Sequence, residues 1–220
     1  MLSKPDPNWV RSDDFHASFL IPYDDALEHA LKNSVEKGLP EINVHAGQGK
    51  LLNLIARTIG AKRILEVGTL GGYSTIWFAR GVPEDGQVVT CELKDDFAKV
   101  ARENFEYAGV SEKIKILVGP AAETLQTLPS EEKFDLAFID ADKASNLTYF
   151  LQAKRVVRRG GIVDNVIRNG TVANLDIDDE NVRGVRKLLE HIKNDKEVDA
   201  TTIGTVSEKG YDGFLYALYL

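Results

Sequence analysis

Arg63-Ile64-Leu65-Glu66-Val67-Gly68-Thr69-Leu70-Gly71-Gly72-Tyr73-Ser74 is the stretch that decides the fold. Its first five residues are mostly aliphatic, and three glycines follow within five positions. A helix-compatible segment comes next, over roughly 72–80. Glycines at a strand-to-helix turn let a ligand approach the backbone, and the helix N-terminus beyond it offers free N–H groups. A plain strand–turn–helix connection is the alternative. Outward from this point, apolar β-branched runs alternate with amphipathic stretches, the pattern of a parallel sheet wrapped by helices. The predicted strands are 63–67, 87–92, 115–118, 134–139, 161–164, 198–205 and 213–220; helices are expected near 95–108, 121–128, 145–157 and 180–193. Only Ser207-Glu208-Lys209-Gly210 separates the last two strands, so they should pair as an antiparallel hairpin. A helical region over roughly 22–59 precedes the first strand. We read one α/β domain over 1–220, with residues 1–60 covering the site.

Composition narrows the function classes. Lys and Arg total 27 against 34 Asp and Glu, a net charge of −7. No basic face forms, which argues against a nucleic-acid partner. No apolar run approaches the ~18 residues of a membrane span. Cys91 is the one cysteine, excluding an internal disulfide framework and a thiolate zinc site. With Asp6, Asp13 and Asp14 the first residues resemble neither a signal nor a transit peptide, so a cytoplasmic enzyme with a small-molecule partner is expected.

Two constellations carry chemistry. Glu92 ends the second strand about 20 residues beyond the glycine turn, where a carboxylate can accept from both hydroxyls of a ribose. Leu70 stands where a dinucleotide fingerprint needs a second glycine, which disfavours an NAD(P)-dependent oxidoreductase. Phe138-Ile139-Asp140-Ala141-Asp142-Lys143 and Ile162-Val163-Asp164-Asn165 then place two acids and an amide at neighbouring strand ends. Hard oxygen donors suit Mg²⁺, Mn²⁺ or Ca²⁺ and not zinc. Alternatively Asp142 or Ser145 caps a helix and Asp164 only ends a strand. Lys143 near a helix start opposes the helix dipole, which suggests a chemical reason for its presence.

Read in this order, the glycine turn, Glu92, the DADK segment and the DN pair resemble the cation-dependent S-adenosylmethionine O-methyltransferases, of the catechol and caffeoyl-CoA type. The resemblance covers roughly residues 40–220. It implies a class I methyltransferase, Rossmann-like sheet of seven strands with the last antiparallel and helices on both faces. It also implies that Val44, Glu66, Gly68, Thr69, Tyr73, Ser74, Glu92, Ala121 and Asp140 bind S-adenosylmethionine. Asp140, Asp164 and Asn165 match the metal ligands, and Lys143, with Asp140, the catalytic groups. A homodimer acting on a vicinal diphenol (a catechol, caffeic acid or a flavonoid) follows from the same resemblance.

Some positions depart from the family. Only Ala141 and Asp142 stand between Asp140 and Lys143, where animal catechol enzymes carry aromatic and histidine side chains. Asp176, Asp178, Asp179 and Glu180 make an acidic segment that would repel the phosphates of CoA, or that caps the helix after it. His45 is read as a structural residue or a neighbour of the cofactor, Trp77 as core-facing, and Arg168 as orienting an acidic substrate or simply exposed. A non-catalytic S-adenosylmethionine-binding dimer scaffold is the other rival; no missing catalytic residue supports it.

Overall fold

The chain reverses its winding between β1 (Arg63–Val67) and β4 (Phe134–Ile139), and that reversal places the site. In the computed structural model, which describes residues 5–131 and 133–220, three helices come first: α1 (Pro7–Leu20), α2 (Asp25–Glu36) and α3 (Ala46–Thr58). Readings that touch residues 1–4 or 132 lie outside the described residues. After β1 come α4 (Tyr73–Gly81), β2 (Gln87–Glu92), α5 (Asp95–Tyr107), β3 (Ile114–Val118) and the short α6 (Ala121–Thr124). After β4 come α7 (Asn146–Val156), β5 (Val157–Asp164), α8 (Glu180–Asn194), β6 (Val198–Ser207) and β7 (Gly210–Tyr219). The sheet order is β3-β2-β1-β4-β5-β7-β6, parallel throughout except for β7, which runs antiparallel to both β5 and β6. Ligands of open α/β sheets sit beyond the carboxyl ends of strands at such a reversal.

Strand alternation divides the core into two layers. Ile64, Val88, Leu136, Phe138 and Ile162 pack with residues of α2 to α5. Leu65, Val67, Val89, Ala137, Ile139 and Val163 point the other way, against α7 and α8. Trp77 is buried in the first layer, as its spacing predicts.

The expected elements form, with corrections at their ends. The helical region over 22–59 is two helices: Gly38, at φ +81°, ends α2, and residues 38–45 run outside helix. Helix α1 was not expected; the Asp6 carboxylate caps it by accepting from Asn8 N–H at 2.8 Å, with Pro7 at its first position. Strand β5 begins at Val157 and β7 at Gly210, each earlier than predicted. Asp179 caps α8 by accepting from Asn181 and Val182 N–H.

One contact between α8 and the loop after β4 bears on the site. A Cβ on Gly184 would lie 2.0 Å from the Lys143 carbonyl oxygen, so helix and loop touch backbone to backbone. Gly184→Ala should therefore destabilise the fold by about 1–3 kcal/mol despite the better helix propensity of alanine. Urea unfolding checks this; an unchanged or raised midpoint would show that the two segments are not in forced contact.

Candidate active site

The β1–α4 turn is pressed against the loop after β4. A Cβ on Gly68, at φ +102°, would stand 2.1 Å from the Asp140 carbonyl oxygen, a position open only to glycine. Asp140 N–H donates to Val67 O at 2.8 Å and Gly68 N–H to Cys91 O at 3.0 Å, joining the ends of three strands. On one side of this junction Glu92 is buried, its carboxylate accepting from Leu70 N–H at 2.8 Å and Lys94 N–H at 3.0 Å. Leu70 keeps this bond at the cost of a left-handed φ of +53°. Thr69 and Thr90 share a hydroxyl hydrogen bond of 2.6 Å beneath the turn.

On the other side lie the acids. Lys143, 5% exposed, donates from Nζ to Asp140 Oδ1 at 2.7 Å. Asp164 is buried, and burial followed by the charge of Asp140 pushes its carboxyl upward, against the pull of Lys143 and hydrogen bonds from Asn165 N–H and Gln48. Two neighbouring carboxylates, Asp164 buried and Asp140 partly exposed, thus share the Lys143 ammonium. Asp142 is committed elsewhere: it caps the turn by accepting from Ser145 N–H at 3.1 Å and takes the Tyr149 hydroxyl at 2.6 Å. Burial opposes its ionisation, and these hydrogen bonds outweigh it, so its carboxyl sits below the ordinary range.

A cleft of about 780 Å³ joins both sides. Val44, Gly68, Thr69, Tyr73, Ser74, Glu92, Ala121, Asp140, Lys143 and Asn165 line it. Glu66 and Asp164 do not form its wall and lie buried behind it. Asn165, at φ +56°, turns the chain from the end of β5 into the cleft. The donor chemistry fits a hard divalent cation: Asp140, Asp164 and Asn165 supply only oxygen, and the uncompensated charge calls for a cation. Sequence reading missed Leu93 and Phe97, apolar cleft residues next to Glu92, and Gln48, whose partner lies over a hundred residues away.

The roof is residues 42–44, and the β6–β7 turn clamps it. Lys209 donates from Nζ to the Asn43 carbonyl oxygen. His45 has a structural role: Nδ1 accepts from Gly47 N–H at 3.2 Å, capping α3. Its Nε2 lies 2.9 Å from Asp13 of α1 and 3.1 Å from Glu208. The trio brings α1, the start of α3 and the β6–β7 turn together through close contacts of one imidazole with two carboxylates.

The comparisons with known proteins agree with this geometry. An O-methyltransferase family model matches residues 21–210. The chain belongs to the O-methyltransferase family. It is 47% identical to a catechol O-methyltransferase of Mycobacterium tuberculosis over 96% of each chain. It is similar to the solved O-methyltransferase from Bacillus cereus in complex with SAH, at 42% identity and TM-score 0.94, covering 97% of this chain and 99% of that one. It is also similar to the O-methyltransferase TomG from Streptomyces achromogenes in complex with SAM: 41% identity, TM-score 0.92, over 100% and 99% of the two chains. The expected S-adenosylmethionine-dependent O-methyltransferase and its seven-stranded sheet are borne out. No helix among the described residues is long and apolar enough to cross a membrane.

Glu66 supplies a test of the floor beneath the cleft. Burial pushes its carboxyl up to about 7, against hydrogen bonds from Thr75 at 2.5 Å and Ser74 at 2.7 Å. Its pKa is thus higher folded than unfolded, so its contribution to stability is full below pH ~4.5 and is lost as pH rises through ~7. Between those limits the loss is on the order of 3 kcal/mol. Urea unfolding at a series of pH values should show a stability decline that is shallower by this amount in Glu66→Gln. Equal slopes in variant and wild type would mean that Glu66 is ionised throughout.

Proposed function

We propose that the chain transfers a methyl group from S-adenosylmethionine to one hydroxyl of a vicinal diphenol, with Mg²⁺ (or Mn²⁺ or Ca²⁺) held by Asp140, Asp164 and Asn165. The observation that carries this reading is the buried Asp164 carboxylate set against Asp140, with one buried amine between them and a ribose-type acid in the same cleft. The printed name of the mycobacterial relative, catechol O-methyltransferase, supports the substrate class.

Each residue then has a physical task. Glu92, with both carboxylate oxygens anchored to backbone N–H groups, is oriented to accept from the ribose hydroxyls. Leu93, Phe97, Ala121 and Ala122 offer apolar surface to a purine ring. Val44 and Ile42 exclude water from the methionine end, and the turn at 68–72 carries the backbone that meets it. When bound, S-adenosylmethionine supplies an electrophilic methyl group and the cation a positive charge that eases ionisation of a neighbouring hydroxyl. With Asp140 engaged by the cation, Lys143 would act from its neutral amine form, the lone pair on Nζ taking the hydroxyl proton. The rest of the rate comes from holding oxygen and methyl carbon ~3 Å apart and in line. Phe15, Phe19 and Leu20, exposed along α1, support a homodimer, and the one buried cysteine suits a cytoplasmic setting.

Methylation of a catechol should stop in EDTA and return with Mg²⁺. Asp164→Ala should lose turnover while keeping most of its affinity for SAH, and Lys143→Ala should keep SAH and Mg²⁺ affinity but lose the chemical step, most of all at low pH. Full-rate catechol methylation by metal-free protein, or equal rates on a monophenol and its catechol analogue, would overturn the reading.

A further inference from the structure

We propose that Arg168 is the specificity-determining cation of the cleft, selecting vicinal diphenols that carry a carboxylate over neutral or cationic ones. This rests on the diphenol reading above and deepens it.

Residues 165–170 leave the end of β5 and contain three non-glycine residues at left-handed φ: Asn165 at +56°, Arg168 at +54° and Asn169 at +55°. An arginine pays for that conformation, and such strain persists only where the surroundings hold it. The holding groups belong to β7 and to the turn itself. Asp212 Oδ1 accepts from Ile167 N–H at 3.1 Å, Arg168 N–H at 2.8 Å and Gly213 N–H at 2.9 Å. Asn169 N–H donates to Tyr211 O at 2.8 Å, and the Arg168 carbonyl oxygen accepts from both the backbone N–H and the hydroxyl of Thr171. Every backbone polar group of Arg168 is therefore spoken for by β7 or by its own turn.

Its side chain is not. Arg168 is half-buried and lines the cleft with Asn165 and Lys143. Among the described residues its guanidinium has no ion pair or hydrogen bond, whereas Lys143, also of the cleft wall, is bonded to Asp140. Two acids of the neighbouring segment are engaged elsewhere: Asp178 pairs with Arg183 and Asp179 caps α8. A half-buried cation without a partner is costly in a folded chain, and a strained, fully pinned loop presents it to the substrate end. In a protein of net charge −7, which repels anions at long range, this is a local receptor for one. The planar guanidinium matches a carboxylate in bidentate fashion.

The experiment compares 3,4-dihydroxybenzoate with unsubstituted catechol in wild type, Arg168→Gln and Arg168→Glu. The readouts are KM with S-adenosylmethionine and Mg²⁺ present, and calorimetric affinity for the SAH complex. Glutamine and glutamate meet the same left-handed φ as arginine, so the backbone cost is held nearly constant, and SAH affinity verifies the fold. The ratio of KM values, carboxylated to neutral, should rise about 10- to 100-fold in Arg168→Gln, and further in Arg168→Glu, with the binding ratio moving in parallel. Loss of both substrates in equal measure would show that Arg168 stacks on the ring without reading charge, and overturns the proposal, as does an unmoved ratio. Wild-type protein that neither binds nor methylates any catechol overturns the parent reading and the proposal with it. That result differs from catechol methylation with a constant ratio, which removes Arg168 alone.

Discussion

The contact between Gly68 and the backbone of Asp140 is the constraint on which the site depends. With no side chain at position 68, the turn after β1 and the loop after β4 lie closer than any Cβ would permit, 2.1 Å from the position it would take. That closeness, locked by Asp140 N–H to Val67 O, makes one cleft of what would otherwise be two loops on adjacent strands. The turn that carries the Glu92 partner Leu70 and the loop that carries Asp140 and Lys143 are thereby held in fixed register.

The two ends of the sheet treat charge in opposite ways. At the far end the buried Asp135 accepts from Lys62 N–H, Arg63 N–H and Arg158, which hold its carboxyl below the ordinary range although burial opposes this. That acid is satisfied and stitches β1, β4 and β5 together. At the carboxyl end Asp164 and Glu66 are buried with their carboxyls pushed upward, and among the described residues the Arg168 guanidinium has no ion pair or hydrogen bond. Unsatisfied charge lowers stability, so its concentration at one end of the fold marks where ligands are to complete it.

Much of this was legible in the sequence because the signals are local. The glycine turn, Glu92 at a strand end, the DADK and DN segments and the closing hairpin each span a few residues whose chemistry and spacing speak directly. Helix α1 escaped because none of its residues is buried, so it lacks the apolar periodicity that reveals a helix, although Asp6-Pro7 signalled its start. The break between α2 and α3 was marked by Gly38 and Pro40 and was smoothed over by the apolar spacing on either side. Residues that work through distant partners had no local signature: Lys209 reaches Asn43 across 166 positions, and Gln48 reaches Asp164. The burial of Glu66 and Asp164 behind the cleft is likewise a product of packing and not of pattern.

The central claim is that the glycine turn and the loop of Asp140 and Lys143 form a single site through the Gly68 contact. Its most direct test is calorimetric titration of SAH and then Mg²⁺ into Gly68→Ala, with circular dichroism verifying that the variant is folded. The account predicts that both affinities fall together, because a methyl group at position 68 pushes the two loops apart. Wild-type affinity for either ligand in the folded variant would contradict it.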